Sequence, residues 1–365
     1  MSARDLDALL ERCVALEASD LHLGAGQPPI VRREGLLEPL GDEPALEADE
    51  LDALALALLE PEQRAAFVRE RTVDLAYSLP SGARFRLNLF AERVGTGFAV
   101  RRLDERLRGL AELRLPASLT RLATLDDGLV VVTGPTGSGK STTLAALIDL
   151  INAQRPAHVI TLEDPIEYVH TSRRALVRQR QLHTHFPAFP EALRAALRED
   201  PDVLLVGEMR DLETLRIALM AAETGHLVLS TLHAAGAVGA VERFVGGFPG
   251  GERDAVRHQL AMVLRGVVAQ RLVRGAGGAR VPAVEVLLAT SAIANLIRSG
   301  KSAQLQSALE SGGALGMQTF DDSLADAVKR GWLDEASARG ATRDPQAFAD
   351  RLRLQRNATG GAPWR

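Results

Sequence analysis

Apolar residues recur at helical spacing at Leu6, Leu9, Leu10, Cys13 and Leu16, which predicts an amphipathic opening helix. Short strands follow, and a longer helix is expected over about residues 47–70. The period then changes. Residues 72–78 and 84–102 alternate or cluster β-formers around a Pro80-Ser81-Gly82 turn, predicting a hairpin or meander in an antiparallel sheet. Residues 106–116 are charged and turn-prone, and a helix near 117–125 leads to a sharply apolar strand at Leu129. From there apolar runs at 129–133, 159–162, 203–206 and 227–231 alternate with helices expected at 143–151, 190–198 and 212–222. Continuous apolar strands separated by helices are the pattern of a parallel sheet covered on both faces. Beyond about Asp254 the pattern turns mostly helical, and residues 355–365 are polar and Gly-rich, without an apolar period, so that tail is expected to be disordered.

Composition narrows the class. A chain of 365 residues exceeds the usual single-domain size and favours two compact units. Aromatics are only 4%, so the core must be built from Leu, Val, Ile and Ala. The longest apolar stretches fall far short of the ~20 residues that a membrane-spanning helix needs. The opening residues mix acids with leucines, unlike a secretory signal. A cytoplasmic protein without direct membrane insertion is expected. Cys13 is the only cysteine, which excludes an internal disulfide and a multi-cysteine zinc site. A net charge of −4 gives no general attraction to phosphate backbones, so nucleic acid is not an expected partner. Of 43 basic residues only Lys140, Lys301 and Lys329 are lysines.

One of those three stands in Gly134-Pro135-Thr136-Gly137-Ser138-Gly139-Lys140-Ser141-Thr142, a P-loop pattern between a predicted strand and a predicted helix. Glycines let backbone N–H groups close around phosphate oxygens, and the helix N-terminus adds positive potential. Lys140 would reach the β- and γ-phosphates and the Ser141 hydroxyl would ligate Mg²⁺, so ATP and Mg²⁺ are the expected cofactors. A plain Gly-rich turn would not call for one of so few lysines. Three further groups fall at the C-terminal ends of the apolar strands, where ligands of parallel sheets bind. Glu163, Asp164 and Glu167 follow the second strand, placed to orient or deprotonate a water or to hold a Mg²⁺-bound one; the plainer alternative is an acidic turn. Glu208 ends the run Val203-Leu204-Leu205-Val206-Gly207 in the layout of a Walker B element and would organise Mg²⁺. His233 follows the fourth strand and would sense the γ-phosphate, whereas His226 lies at that strand's other end and fits a subunit contact better. His183 and His185 have no acidic or cysteine partner nearby in sequence, so a metal site there is not expected.

Together these segments resemble the PilT family of type IV pilus retraction ATPases, within the wider secretion ATPase superfamily. The likeness is carried by Ala18-Ser19-Asp20-Leu21-His22-Leu23, Arg84-Phe85-Arg86, the P-loop, Thr161-Leu162-Glu163-Asp164-Pro165-Ile166-Glu167, Arg198-Glu199-Asp200-Pro201-Asp202, Thr224-Gly225-His226 through His233, and Gly316-Met317-Gln318-Thr319-Phe320-Asp321. The resemblance implies an α/β chain: an N-terminal PAS-like domain over 1–108, a linker at 109–118, a RecA-like ATPase domain over 119–290 and a helical C-terminal region over 291–354. It also implies a homo-hexamer working on an inner-membrane pilus platform protein, peripheral to that membrane. It makes Glu167 and Glu208 the leading catalytic carboxylates, and it implies that the N-terminal domain lends arginines to the nucleotide, the matching positions being Arg84, Arg86 and Arg101. In the segment similar to the family's "AIRNLIRE" stretch this chain reads Ala292-Ile293-Ala294-Asn295-Leu296-Ile297-Arg298-Ser299, lacking one arginine and the final glutamate. Pilus-extension and type II secretion ATPases are the rivals within the superfamily, but they resemble chains with a four-cysteine insertion. An accessory paralogue of the retraction motor is a further alternative. A RecA-like nucleic-acid translocase would want a basic channel or stacking aromatics, and a non-hydrolysing scaffold would not need the intact Lys140, Ser141, Glu167 and Glu208.

Overall fold

The computed structural model describes residues 3–103, 106–275, 278–342 and 344–359. They form two compact units: the first takes in the chain up to residue 106 together with Asp164–Val169, and the second takes in Leu107–Glu163 and the chain from His170 onward.

In the first unit, helix α1 (Ala3–Ala15) buries Leu6, Leu9, Leu10 and Cys13 as one stripe. Leu16, expected to continue that stripe, falls beyond the helix end and is exposed. The six strands are β1 (Asp20–Leu23), β2 (Ile30–Arg33), β3 (Leu36–Pro39), β4 (Thr72–Ser78), β5 (Arg84–Glu92) and β6 (Gly95–Arg102). Their order is β3-β2-β1-β6-β5-β4, every pairing antiparallel. Along β5, Phe85, Leu87 and Leu89 point into the core, so the strand period of two places Arg84 and Arg86 together on the opposite face. The single helix expected over 47–70 is two, α2 (Ala48–Leu58) and α3 (Pro61–Glu70). A residue before proline is driven out of the helical region, and Glu60 is extended at φ −68°, ψ 160°. Pro61 then sits in the first helical turn, where a missing N–H costs nothing, and a Glu60–Gln63 capping box restarts the helix.

The second unit is built on a seven-stranded sheet ordered β13-β12-β7-β11-β10-β8-β9. Strands β7 (Gly128–Thr133), β8 (His158–Glu163), β9 (Leu176–Gln181), β10 (Val203–Val206) and β11 (Leu227–Leu232) run parallel. β7, β10 and β11 are buried at every position, as continuous apolar runs require. Helix α4 (Thr120–Ala123) precedes them, α5 (Lys140–Gln154), α6 (Phe189–Ala196) and α7 (Leu212–Glu223) connect them, and α8 (Ala237–Gly246) and α9 (Arg253–Val263) follow. The mostly helical pattern expected after Asp254 is wrong for a long hairpin, β12 (Leu264–Arg274) and β13 (Arg280–Leu288). β12 lies parallel to β7 and antiparallel to β13. It follows directly on α9, and a short apolar run carries no period that separates strand from buried helix. Edge strand β9 is too polar to have stood out.

Beyond the hairpin come α10 (Ser291–Arg298), α11 (Ser302–Ser311), α12 (Phe320–Lys329), α13 (Glu335–Ala341) and α14 (Pro345–Thr359). Phe320, Leu324, Phe348 and Leu352 pack with Val281 and Ala283 of β13 in a small core of their own. α14 carries regular structure through residues 355–359, which were expected to be disordered; residues 360–365 lie outside the described residues. Because the register aligns Leu232 with Thr133, Ser230 with Val206 and Val206 with Leu162, the C-terminal ends of β7, β11, β10 and β8 fall on one edge of the sheet.

Candidate active site

That edge gathers the P-loop, Glu163, Glu208 and His233. The loop leaves β7 at Gly134, whose φ of 146° and neighbours admit no side chain: a Cβ would stand 2.2 Å from the Gln270 carbonyl oxygen. It closes at Gly139, left-handed at φ 89°, where a Cβ would stand 2.7 Å from Gln270 Nε2. No side chain caps α5, which begins at Lys140. An uncapped helix start directs its first N–H groups and its dipole toward an anion. The Lys140 ammonium donates to the carbonyls of Gly134 at 3.0 Å and Pro135 at 3.1 Å, folded back over its own loop. Ser138 Oγ is buried beside Gly134 and has no hydrogen-bond partner among the described residues.

Hydrogen bonds tie the neighbouring strand ends into one frame. Thr133 Oγ1 donates to the Leu232 carbonyl at 2.9 Å and accepts from the Ala234 amide at 2.8 Å. Ser230 Oγ donates to the Val206 carbonyl and Thr231 Oγ1 to the Gly207 carbonyl, each at 2.6 Å. Glu208 is thereby held beside His233, its Oε1 lying 3.1 Å from His233 Nε2 and its Oε2 2.9 Å from Arg210 Nη2. The sequence placed Glu208 and His233 on one edge without pairing them. Asp211, just beyond, caps α7 by accepting from the Thr214 amide at 2.8 Å. Glu163 Oε1 accepts from Thr161 Oγ1 at 2.7 Å and from Gln179 Nε2 at 3.1 Å.

The acidic run that begins at Glu163 divides, with Asp164–Val169 packing in the first unit. Arg84 donates to the carbonyls of Ile166 at 2.7 Å and Glu167 at 3.0 Å, so its guanidinium is committed to positioning that segment. Arg86 Nε donates to Asp74 Oδ1 at 3.2 Å. Burial disfavours the Arg86 charge, but the hydrogen bond and negative charge of Asp74, with the charges of Asp164 and Glu167, outweigh it and hold its pKa above the ordinary arginine value. Arg101 Nε donates to Asp20 Oδ1 at 2.9 Å, which gives Asp20 in the Ala18–Leu23 motif a partner the sequence did not reveal. His226 Nδ1 lies 3.0 Å from the Ala221 carbonyl, a local contact at the end of α7. Among the described residues no three His, Cys, Asp or Glu side chains converge as a metal cage. A hydroxyl at Ser141 and a carboxylate at Glu208 are hard oxygen donors, the set that suits a Mg²⁺ bound jointly by protein, phosphate and water. The residue that sequence reasoning missed altogether is Gln270, which lies against both ends of the loop; a lone glutamine after a short apolar run carries no motif.

The chain matches the family model described as type II/IV secretion system protein over residues 77–311. It is 45% identical to the type IV pilus retraction ATPase PilT of Pseudomonas aeruginosa over 344 residues, 94% of this chain and all of that protein. It is 44% identical over 322 residues to the twitching motility protein of Neisseria gonorrhoeae, covering 88% of this chain and 86% of that one. Among solved structures it is similar to the pilus retraction motor PilT with bound ADP, with a TM-score of 0.86 and 40% identity, over 94% of this chain and 99% of that one.

Proposed function

The chain belongs to the type II/IV secretion system family and is a PilT-like ATPase, and from that premise we propose that it converts ATP hydrolysis into retraction of a type IV pilus. The observation that carries this reading is the single sheet edge that holds an uncapped P-loop, an unsatisfied buried hydroxyl and the Glu208–His233 pair.

The backbone N–H groups of residues 134–139 and the start of α5 receive the phosphates, and Lys140 Nζ exchanges the Gly134 and Pro135 carbonyls for β- and γ-phosphate oxygens. Thr142 completes the loop on the first turn of the helix. Ser141 and Glu208 would hold Mg²⁺, with Asp164 as a further candidate ligand, and the ion would neutralise charge on the phosphates. Glu167 and Glu208 are the leading groups to orient and deprotonate the attacking water, with Glu163 in support. His233 fixes the Glu208 carboxylate and registers the γ-phosphate. Arg86 and Arg101, held here by Asp74 and Asp20, exchange those carboxylates for phosphate charge during the cycle. We further propose a homo-hexamer at the cytoplasmic side of the inner membrane, acting on a pilus platform protein. No helix among the described residues is long and apolar enough to cross a membrane, in keeping with a peripheral role.

Deleting the gene and imaging pili tests the proposal. Hyperpiliated, non-twitching cells are the expected outcome; bald cells would transfer the chain to an extension role. The rival reading, an accessory paralogue, rests on Ala294 in α10 and Ser299 at its C-terminal cap, where the family's stretch carries arginine and glutamate. It predicts unchanged twitching when a second retraction ATPase remains.

A further inference from the structure

We propose that Gln270 is a positioning residue for the nucleotide site, a strut beneath the P-loop that fixes the loop's width; this rests on the nucleotide reading of that loop. β12 pairs with β7 up to Ala269 opposite Thr133, so Gln270 is the next residue along, level with the point where the loop departs. It is a polar side chain only 4% exposed, in the middle of β12 directly after the buried run Val267-Val268-Ala269. Burying an amide is unfavourable unless it is hydrogen-bonded, and here Oε1 accepts from Thr143 Oγ1 on the first turn of α5 at 2.7 Å. Three contacts follow from one residue: the main-chain oxygen lies against Gly134 where the loop begins, Nε2 lies against Gly139 where it ends, and Oε1 holds the helix that carries Lys140 and Ser141. Gly134 and Gly139 are therefore required both by their positive φ and by the space that Gln270 occupies. A phosphate cradle depends on several N–H groups pointing at one centre, so a loop whose two ends can drift apart binds less well even with every ligand-contacting group intact.

The experiment is calorimetric titration of ADP with Mg²⁺ into the assembled full-length chain, comparing wild type with Q270M, T143V, the double variant and K140A. Q270M and T143V keep side-chain size and remove the acceptor and the donor in turn. Each is expected to weaken ADP binding about tenfold, by leaving one buried group unsatisfied. The double variant is expected to be no weaker than the worse single one, because both remove the same bond. In turnover assays the KM for ATP should rise more than kcat falls. A folded Q270M or T143V with wild-type ADP affinity and only a lowered melting temperature would overturn the proposal, as would losses that multiply in the double variant. T143V alone still decides the matter if Q270M does not fold. Wild type failing to bind ADP, or K140A binding as well as wild type, would instead sink the nucleotide site itself.

Discussion

Glu208 meets His233 on one oxygen and Arg210 on the other, so its carboxylate is oriented before any substrate arrives. Glu208→Gln keeps the shape and removes the charge. Hydrolysis should fall by about 10²-fold or more, the usual size of an acid–base or metal-orienting contribution, while ATP binding persists. Stopped-flow binding beside steady-state turnover separates the two, and unchanged turnover would remove Glu208 from the chemistry. His170 offers a residue-scale prediction in stability. Burial outweighs the favourable Asp149 charge, with Arg173 opposing protonation further, and its pKa is lowered from 6.5 to about 4. Between those values the unfolded chain binds a proton that the folded chain does not. Its contribution is therefore fully present above pH 6.5 and is lost as pH falls toward 4, by about 3 kcal/mol in total. Denaturant unfolding at pH 7 and pH 4.5 should show a smaller acid loss in His170→Gln than in wild type; equal losses would contradict this. The P-loop, Glu208 and His233 were legible as residue types after apolar strands. The Arg84, Arg101 and Gln270 contacts were not, because each joins positions more than 80 residues apart.

Element ends explain much of the site's rigidity. Asp211 closes the N-terminus of α7 immediately after the Glu208 loop, accepting from both the amide and the hydroxyl of Thr214. Asp211→Ala should cost about 1 kcal/mol, measurable by chemical denaturation, and Asp211→Ser should recover most of it. On the outer side of the sheet, Gln318 exchanges backbone hydrogen bonds with Val286, and its Nε2 donates to the Val284 carbonyl at 2.8 Å. That gives the Gly316-to-Asp321 motif a structural role: it clamps the hairpin strand whose partner, β12, carries Gln270. The parallel strands could be read because full burial makes them continuously apolar. The β12–β13 hairpin could not, since its apolar run directly continues a helix, and the α2–α3 break was signalled only by Pro61.

At the scale of the whole molecule the described residues divide into two units, each with its own core. A strictly local sequence reading anticipated two α/β units but could not anticipate that Asp164–Val169 would pack with the first unit, far along the chain from the rest of it. That placement puts Asp164 and Glu167 near Arg86, a charge arrangement only a folded chain reveals. The central claim is that the loop around Lys140 binds ATP for hydrolysis. Phosphate release from ATP by the purified, assembled chain with Mg²⁺ tests it most directly, with Lys140→Ala alongside. Steady release by wild type, reduced to background in the variant, is the predicted result; no release by wild type, or equal release by both, would contradict it.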